Sequence, residues 1–244
     1  MEAKKREPLL RVVKHAELSK GQSVGLRILA VVLALIVGGI FIAAIGYNPF
    51  EIYATMITGC FRSPMAMQAT VKFCIPMCIS ALGVTLAFKM KFWNIGGEGQ
   101  VLIGGLASAA CMICLGDKLP GAVVILCMIV ASLAAGAIWG FIPAFFKAKW
   151  NTNETLSTLM MNYIATQLVA FYTIVWEVPK GSGKIGIINQ NTNVGWLPQI
   201  FGSKYLLSIV VAVVITIFMY VYLNYSKQGY EISVVGESEN TAKY

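Results

Sequence analysis

Charge is what this sequence has least of. Only 12% of its 244 residues are Asp, Glu, Lys or Arg, about half the share of a soluble domain. A water-facing globular surface is therefore excluded for most of the chain. Acidic groups are the scarcer sign, 11 against 19 basic, and no carboxylate pair stands near a candidate nucleophile. The single histidine, His15, lies among lysine and glutamate in the polar N-terminal stretch. There it is solvated, and no imidazole is left for acid–base work inside an apolar segment. A phosphate-binding loop is missing too. Gly181-Ser182-Gly183-Lys184 imitates one, but Ile185 stands where Ser or Thr must bind magnesium and Val178 where the first Gly belongs. Hydrolytic chemistry has no residues to carry it, and no cofactor is implied.

Apolar residues make up the difference: 57% of the chain is hydrophobic and the mean hydropathy is +0.72. They come in runs long enough to cross a bilayer, which takes roughly 20 residues each. The windows fall at 28–47, 65–88, 101–115, 119–146, 155–176 and 205–224. The fold class is all-α: a polytopic membrane helical bundle of about six spans. A cytoplasmic tail (1–27) precedes it and a cytoplasmic segment (225–244) follows. Lys72 sits inside the second window and must snorkel or face a wet interior, since a central Lys costs about 2.5–3.5 kcal/mol on insertion scales. The third window is short. It either borrows Gly99 and Gln100 or does not fully cross.

Basic residues set the orientation. With six crossings and the N-terminus inside, thirteen Lys and Arg fall on the inner side and six on the outer. Both ends are expected in the cytoplasm of a multi-pass cell-membrane protein. The net charge of +8 invites a nucleic-acid partner. The excess sits just before the first span, however, so topology and anionic lipid headgroups account for it and no nucleic acid is required.

Cys74, Cys78, Cys111, Cys114 and Cys127 lie within apolar windows. The Cys111-x-x-Cys114 spacing mimics a metal site, yet no His or second Cys pair is near in sequence. These cysteines read as packing residues, and no metal is expected. Ser132, Gly136, Gly140 and Ala144 recur every four residues, a small-residue face that lets another helix approach closely in lipid. Along the fifth window Thr155, Thr158, Asn162, Thr166 and Thr173 fall within a narrow arc of one helix face. Such a seam is either interhelical hydrogen bonding or the wall of a wet path, and the pattern does not choose between them. The outward-facing loop 178–203 is long enough to offer a docking surface to an external partner.

The stretch around which these windows are arranged is Phe92-Trp93-Asn94-Ile95-Gly96-Gly97-Glu98-Gly99-Gln100. Three glycines, a carboxylate and two carboxamides lie between two apolar segments. Glycine permits a bend or a close backbone approach, and irregular backbone at membrane depth survives only under protein or water. Gly-interrupted spans point to transport sites. A plain polar turn between spans is the other reading.

Three motifs carry a resemblance. The run Asn94–Gln100 resembles an Asn-Ile-Gly-x-Glu-Gly-Gln signature. The segment from Asn153-Glu154-Thr155 to Asn162-Tyr163-Ile164 resembles Asn-Glu-x-x-x-(Ser/Thr)-x-(Met/Leu)-x-Asn-Tyr-(Ile/Met). The terminal Val235-Gly236-Glu237…Ala242-Lys243-Tyr244 looks like the start of a coupling helix, with Glu237 and Thr241 departing from the commonest residues. Together they resemble permease subunits of the branched-chain amino acid, simple sugar and nucleoside ABC importer superfamily, the nucleoside branch above all.

That resemblance implies half of a dimeric channel. A second permease subunit, identical or homologous, two ATP-binding cassette subunits and an extracellular substrate-binding lipoprotein would complete the importer. It also implies a longer permease of which this chain is the N-terminal part. Asn94, Glu98, Gln100, Thr158, Asn162 and Thr166 would line or brace the path of a small-molecule substrate. Gly96, Gly97 and Gly99 would permit the bend, and Gly236, Glu237, Ala242 and Tyr244 would meet the ATPase, on a short helix from about residue 233. An ion-coupled secondary transporter, with Glu98 as its coupling group, is the competing reading. ATP dependence against ion-gradient dependence separates the two.

The topology has a direct check. Cys60, in the outward stretch 48–64, should react with an impermeant thiol reagent applied to intact cells; labelling only after permeabilisation would overturn the orientation.

Overall fold

A computed structural model describes residues 19–237. Eight helices occur among them: α1 (Lys20–Ala44), α2 (Pro49–Gly59), α3 (Pro64–Lys89), α4 (Gly97–Leu115), α5 (Gly121–Trp150), α6 (Glu154–Val175), α7 (Leu206–Tyr225) and α8 (Lys227–Glu237). No strand is present among the described residues, only an isolated bridge between Ile200 and Ser203. Six helices, α1 and α3 to α7, are long and apolar enough to cross a membrane. All six windows read from the sequence thus become helices. The chain separates into two compact units, 1–67 and 68–244.

In the first unit α1 opens on a reciprocal cap. Ser19 Oγ accepts the Gln22 N–H, and Gln22 Oε1 accepts the Ser19 N–H, which satisfies two donors that a helix start leaves open. The stretch expected as an outward connection contains a helix of its own, α2. Asn48 caps it by accepting the Phe50 N–H, and Pro49 supplies the pre-set first residue. Tyr53 reaches across to α1, where its hydroxyl donates to the Leu35 carbonyl at 2.7 Å, and Gly38 and Gly39 leave room for the ring.

In the second unit α4 and α5 form an antiparallel pair. Gln100 lies over Gly136 and Gly140, Gly104 meets Ser132, Ser108 donates to the Met128 carbonyl and Cys111 to that of Cys127. Each step of about four up α4 is matched by one down α5. The small-residue face of α5 is thus the seat of α4. A Cβ on Gly104 would lie 3.3 Å from the Ser132 carbonyl oxygen, so the backbones touch with no side chain between them. Lipid gives apolar side chains no reason to leave it, and close backbone packing takes over as the source of helix association. The burial pattern agrees: glycines 104, 116, 195, 229 and 236 are buried, whereas large apolar side chains along α5 and α7 are mostly exposed.

Helix α4 does take in Gly99 and Gln100. Its 19 residues span about 28 Å at 1.5 Å each, close to a hydrocarbon core of about 30 Å. The turn from α5 to α6 is set by Asn151 in the left-handed conformation (φ 49°) and by Asn153, which caps α6 by accepting the Leu156 N–H at 3.0 Å. Lys147 and Glu154 close it with a 3.0 Å ion pair.

The connection 176–205 is pinned to α4 and α5. Asn189 donates to the carbonyls of Met112 and Val194, and Gly195, at φ +83°, fits beneath Met112 and Met128. Within it, the run that imitates a phosphate loop already holds an anion. The Glu177 carboxylate accepts the N–H groups of Gly181 at 2.7 Å and Gly183 at 2.9 Å. Those two bonds hold its carboxyl below the usual carboxylate range.

Gly104→Val tests the α4–α5 seat. The added branch meets backbone that cannot yield, so the variant should lose about 1–3 kcal/mol, read as a lower thermal midpoint in detergent. Gly105→Val, which faces open space, should not; equal losses would place the contact elsewhere.

Candidate functional site

The site is built where α3 hands over to α4. Helix α3 closes with short turns: Met90 and Phe92 both donate to the Ala87 carbonyl, and Lys91 donates to that of Phe88. Lys91 carries the left-handed residue of the bend, at φ 54°. The three glycines of the run do not adopt that conformation. Two of them serve proximity instead. A Cβ on Gly96 would sit 3.0 Å from both Thr158 Cβ and Asn94 Oδ1, and one on Gly99 would sit 2.7 Å from Asn162 Oδ1. Gly97 has only Val84 within reach, at 3.9 Å, and so has space for a side chain.

A helix beginning at Gly97 leaves backbone groups open at its first turn, and its N-cap, Gly96, has no side chain to fill them. Helix α6 supplies what is missing. Asn162 Oδ1 accepts the Gly99 N–H at 2.8 Å while Asn162 Nδ2 donates to the Ile95 carbonyl at 2.8 Å. Ile95 and Gly99 are four residues apart, the spacing of a direct helical bond. The carboxamide is inserted where that bond would close, its acceptor on the N–H and its donor on the carbonyl. One turn earlier, Thr158 Oγ1 accepts the Ile95 N–H at 3.3 Å and passes its own proton to the Glu154 carbonyl at 2.7 Å. Asn94 completes the cap locally, its Oδ1 accepting the Gly96 N–H at 2.9 Å.

The two runs singled out from the sequence are thus the two halves of one contact, 63 to 67 residues apart along the chain. In the second run Asn153 caps α6, Glu154 pairs with Lys147, and Thr158 and Asn162 hold the bend. Both of these last two are buried. Two further threonines of the seam satisfy themselves: Thr166 donates to the Asn162 carbonyl and Thr173 to that of Val169. Gln100 lies against Gly140 of α5. Of the six residues expected along the path, Glu98 and Thr166 are the exposed ones. Gly236 and Glu237 lie at the end of α8, which begins at Lys227, six residues before the expected start; Ala242 and Tyr244 fall outside the described residues. No metal-binding cluster is present among the described residues.

Sequence reasoning missed Trp139. Its indole N–H is buried without a hydrogen-bond partner among the described residues, 3.2 Å from where a Gly99 Cβ would be. The only sequence hint was its position next to Gly140 of the small-residue face. Trp139 of α5, Gly99 of α4 and Asn162 of α6 thus meet at one point.

Asn162→Ala removes both bonds at once. Two buried backbone groups lose their partners, at about 1–3 kcal/mol for each one that the first turn of α4 cannot recapture. The thermal midpoint should fall clearly further than for Thr166→Val, whose hydroxyl bonds only within its own helix. Equal midpoints would mean that the carboxamide does not hold the bend.

Comparison with known proteins shows what the chain is similar to. A family model described as the permease component of branched-chain amino acid transport systems matches residues 66–244. The guanosine ABC transporter permease protein NupP of Bacillus subtilis is 31% identical over 223 residues, 89% of this chain and 62% of that protein. The glucose ABC transporter permease protein TsgB13 of Haloferax volcanii is 27% identical over 230 residues, 90% of this chain and 60% of its own length. The nucleoside ABC transporter permease protein NupB of Lactococcus lactis is 25% identical over 234 residues, 93% and 64% respectively. The chain thus spans less than two thirds of the length of these relatives. No solved structure matches it.

Proposed function

The chain belongs to the permease-component family of branched-chain amino acid transport systems, and we propose that it forms the translocation path of an ATP-driven importer for a nucleoside or a simple sugar. The observation that carries this reading is the docking of Asn162 and Thr158 into the glycine-rich start of α4. It caps the start of α4 with buried side chains of α6 and joins two distant polar runs in one contact, the build expected of a site rather than of a plain turn. The nucleoside preference rests on the guanosine and nucleoside permeases among its relatives, the sugar alternative on the glucose permease.

In this reading the N-terminus is cytoplasmic and the side chains divide by their engagement. Asn94, Gln100, Thr158 and Asn162 brace the bend, since their polar groups face protein. Glu98 and Thr166, with exposed side chains, line the path, where a carboxylate and a hydroxyl can meet ribose hydroxyls or the polar edge of a base. Gly96 and Gly99 serve close approach, and Gly97 leaves space beside the path. Hydrolysis lies elsewhere: ATP-binding cassette subunits would meet the segment from Gly236 and Glu237 onward to Ala242 and Tyr244. A second permease subunit and an extracellular substrate-binding lipoprotein would complete the assembly.

Reconstitution into vesicles with the ATPase and binding-protein partners tests this. Uptake of labelled guanosine should require ATP and persist when proton and sodium gradients are collapsed; uptake driven by an ion gradient without ATP would overturn it. Competition by unlabelled glucose settles the cargo class. In the same system Glu98→Gln should lower uptake about ten- to a hundredfold, the loss of one charged hydrogen bond. Gly97→Leu should lower it by filling the space beside the path. Wild-type uptake by both variants would remove this stretch from the pathway.

A further inference from the structure

A different close approach ties the far end of the chain to the same bend. Helix α8 leaves α7 through a sharp turn at Ser226, whose hydroxyl donates to the Tyr222 carbonyl at 2.6 Å and accepts the Gly229 N–H at 2.9 Å. Three turns on, α8 ends against α3. Gly236 is buried, and a methyl placed on it would run into the Lys89 carbonyl and lie 3.6 Å from Met90 Cα. Only a glycine allows backbone contact of this kind.

The contact point is the start of the strap that leads to α4. From Lys89 to Ile95 the chain has little freedom. Met90, Lys91 and Phe92 are bonded back to Ala87 and Phe88, Asn94 donates to the Phe92 carbonyl, and its side chain holds Gly96. At its other end Ile95 is gripped on both backbone groups by Thr158 and Asn162. A seven-residue segment fixed at both ends and hydrogen-bonded between them moves as a piece.

We infer that α8 sets the position of the α3–α4 bend: Gly236 is a positioning residue that acts through the 89–95 strap on the grip of α6 at Ile95 and Gly99. This rests on the importer reading for its purpose, since a partner that displaces α8 would thereby shift Glu98 relative to α6. The linkage itself does not, and coupling of this kind is reciprocal.

The test is therefore made on the full-length permease in lipid nanodiscs, by hydrogen–deuterium exchange, with no substrate or ATPase present. Gly236→Ala should speed exchange of the segment 92–99 about tenfold, as a locally destabilised unit does, while the α4–α5 seat at 104–112 and 128–136 stays as in the wild type. A change confined to 86–90 and 227–237 would overturn the linkage. Should Gly236→Ala loosen the whole bundle, Asn162→Ala decides by the reverse route. It should speed exchange across 227–237, and a response limited to 92–99 and 154–166 would sink the proposal. Neither readout moves if only the importer reading is wrong, which the uptake experiment decides separately.

Discussion

The second unit depends on one carboxamide. Asn162 stands between the Ile95 carbonyl and the Gly99 N–H and satisfies both, so α4 can begin packed against α6 without leaving its first turn bare. In water an open helix end is hydrated at little cost. Under α6, where water is shut out, each unpaired backbone group costs about 1–3 kcal/mol. The bend exists because α6 caps it, and α6 is held in register with α4 by the same two bonds. Structure and proposed path are therefore one object: the residues that make the break tolerable also fix where Glu98 stands.

Around that point the packing is done by what is missing from the side chains. Gly99 admits Asn162 and Trp139, Gly96 admits Thr158, Gly104 admits the backbone of α5, and Gly236 admits the end of α3. A bilayer cancels the advantage of burying leucine or phenylalanine, and those residues face outward here. What is left to hold helices together is dispersion at short range and a few well-placed hydrogen bonds. Both need the backbones close.

Polar groups follow the same economy. The thiols of α4 and α5 bond to carbonyls or pack, as Cys111 does on Cys127. Most threonines of α6 return their protons to their own helix. The carboxylate of Glu177 fills the small nest of backbone donors that its own loop makes. With so many groups turned inward, the exposed carboxylate of Glu98 stands out, and the exposed hydroxyl of Thr166, its proton committed to Asn162, can still accept. That selection, more than any motif, distinguishes lining from bracing in the proposed path.

The sequence by itself determined the spans, because hydropathy over a window of about 20 residues answers to bilayer thickness and needs no partner to read. It marked the small-residue face of α5 through spacing, and the two runs of the site through their glycine and polar content and the resemblance they carry. It left the polar seam of α6 undecided between packing and path, and for good reason: a hydroxyl at a given helix angle looks the same whether it meets water, a carbonyl or another helix. Only the tertiary structure decided that Asn162 spends both ends of its amide on Ile95 and Gly99, that the glycines there serve proximity while Lys91 takes the left-handed turn, and that Trp139 and Gly236 belong to the same construction. Those facts concern pairs of residues between 40 and nearly 150 positions apart, and no local pattern encodes which backbone a missing side chain makes room for.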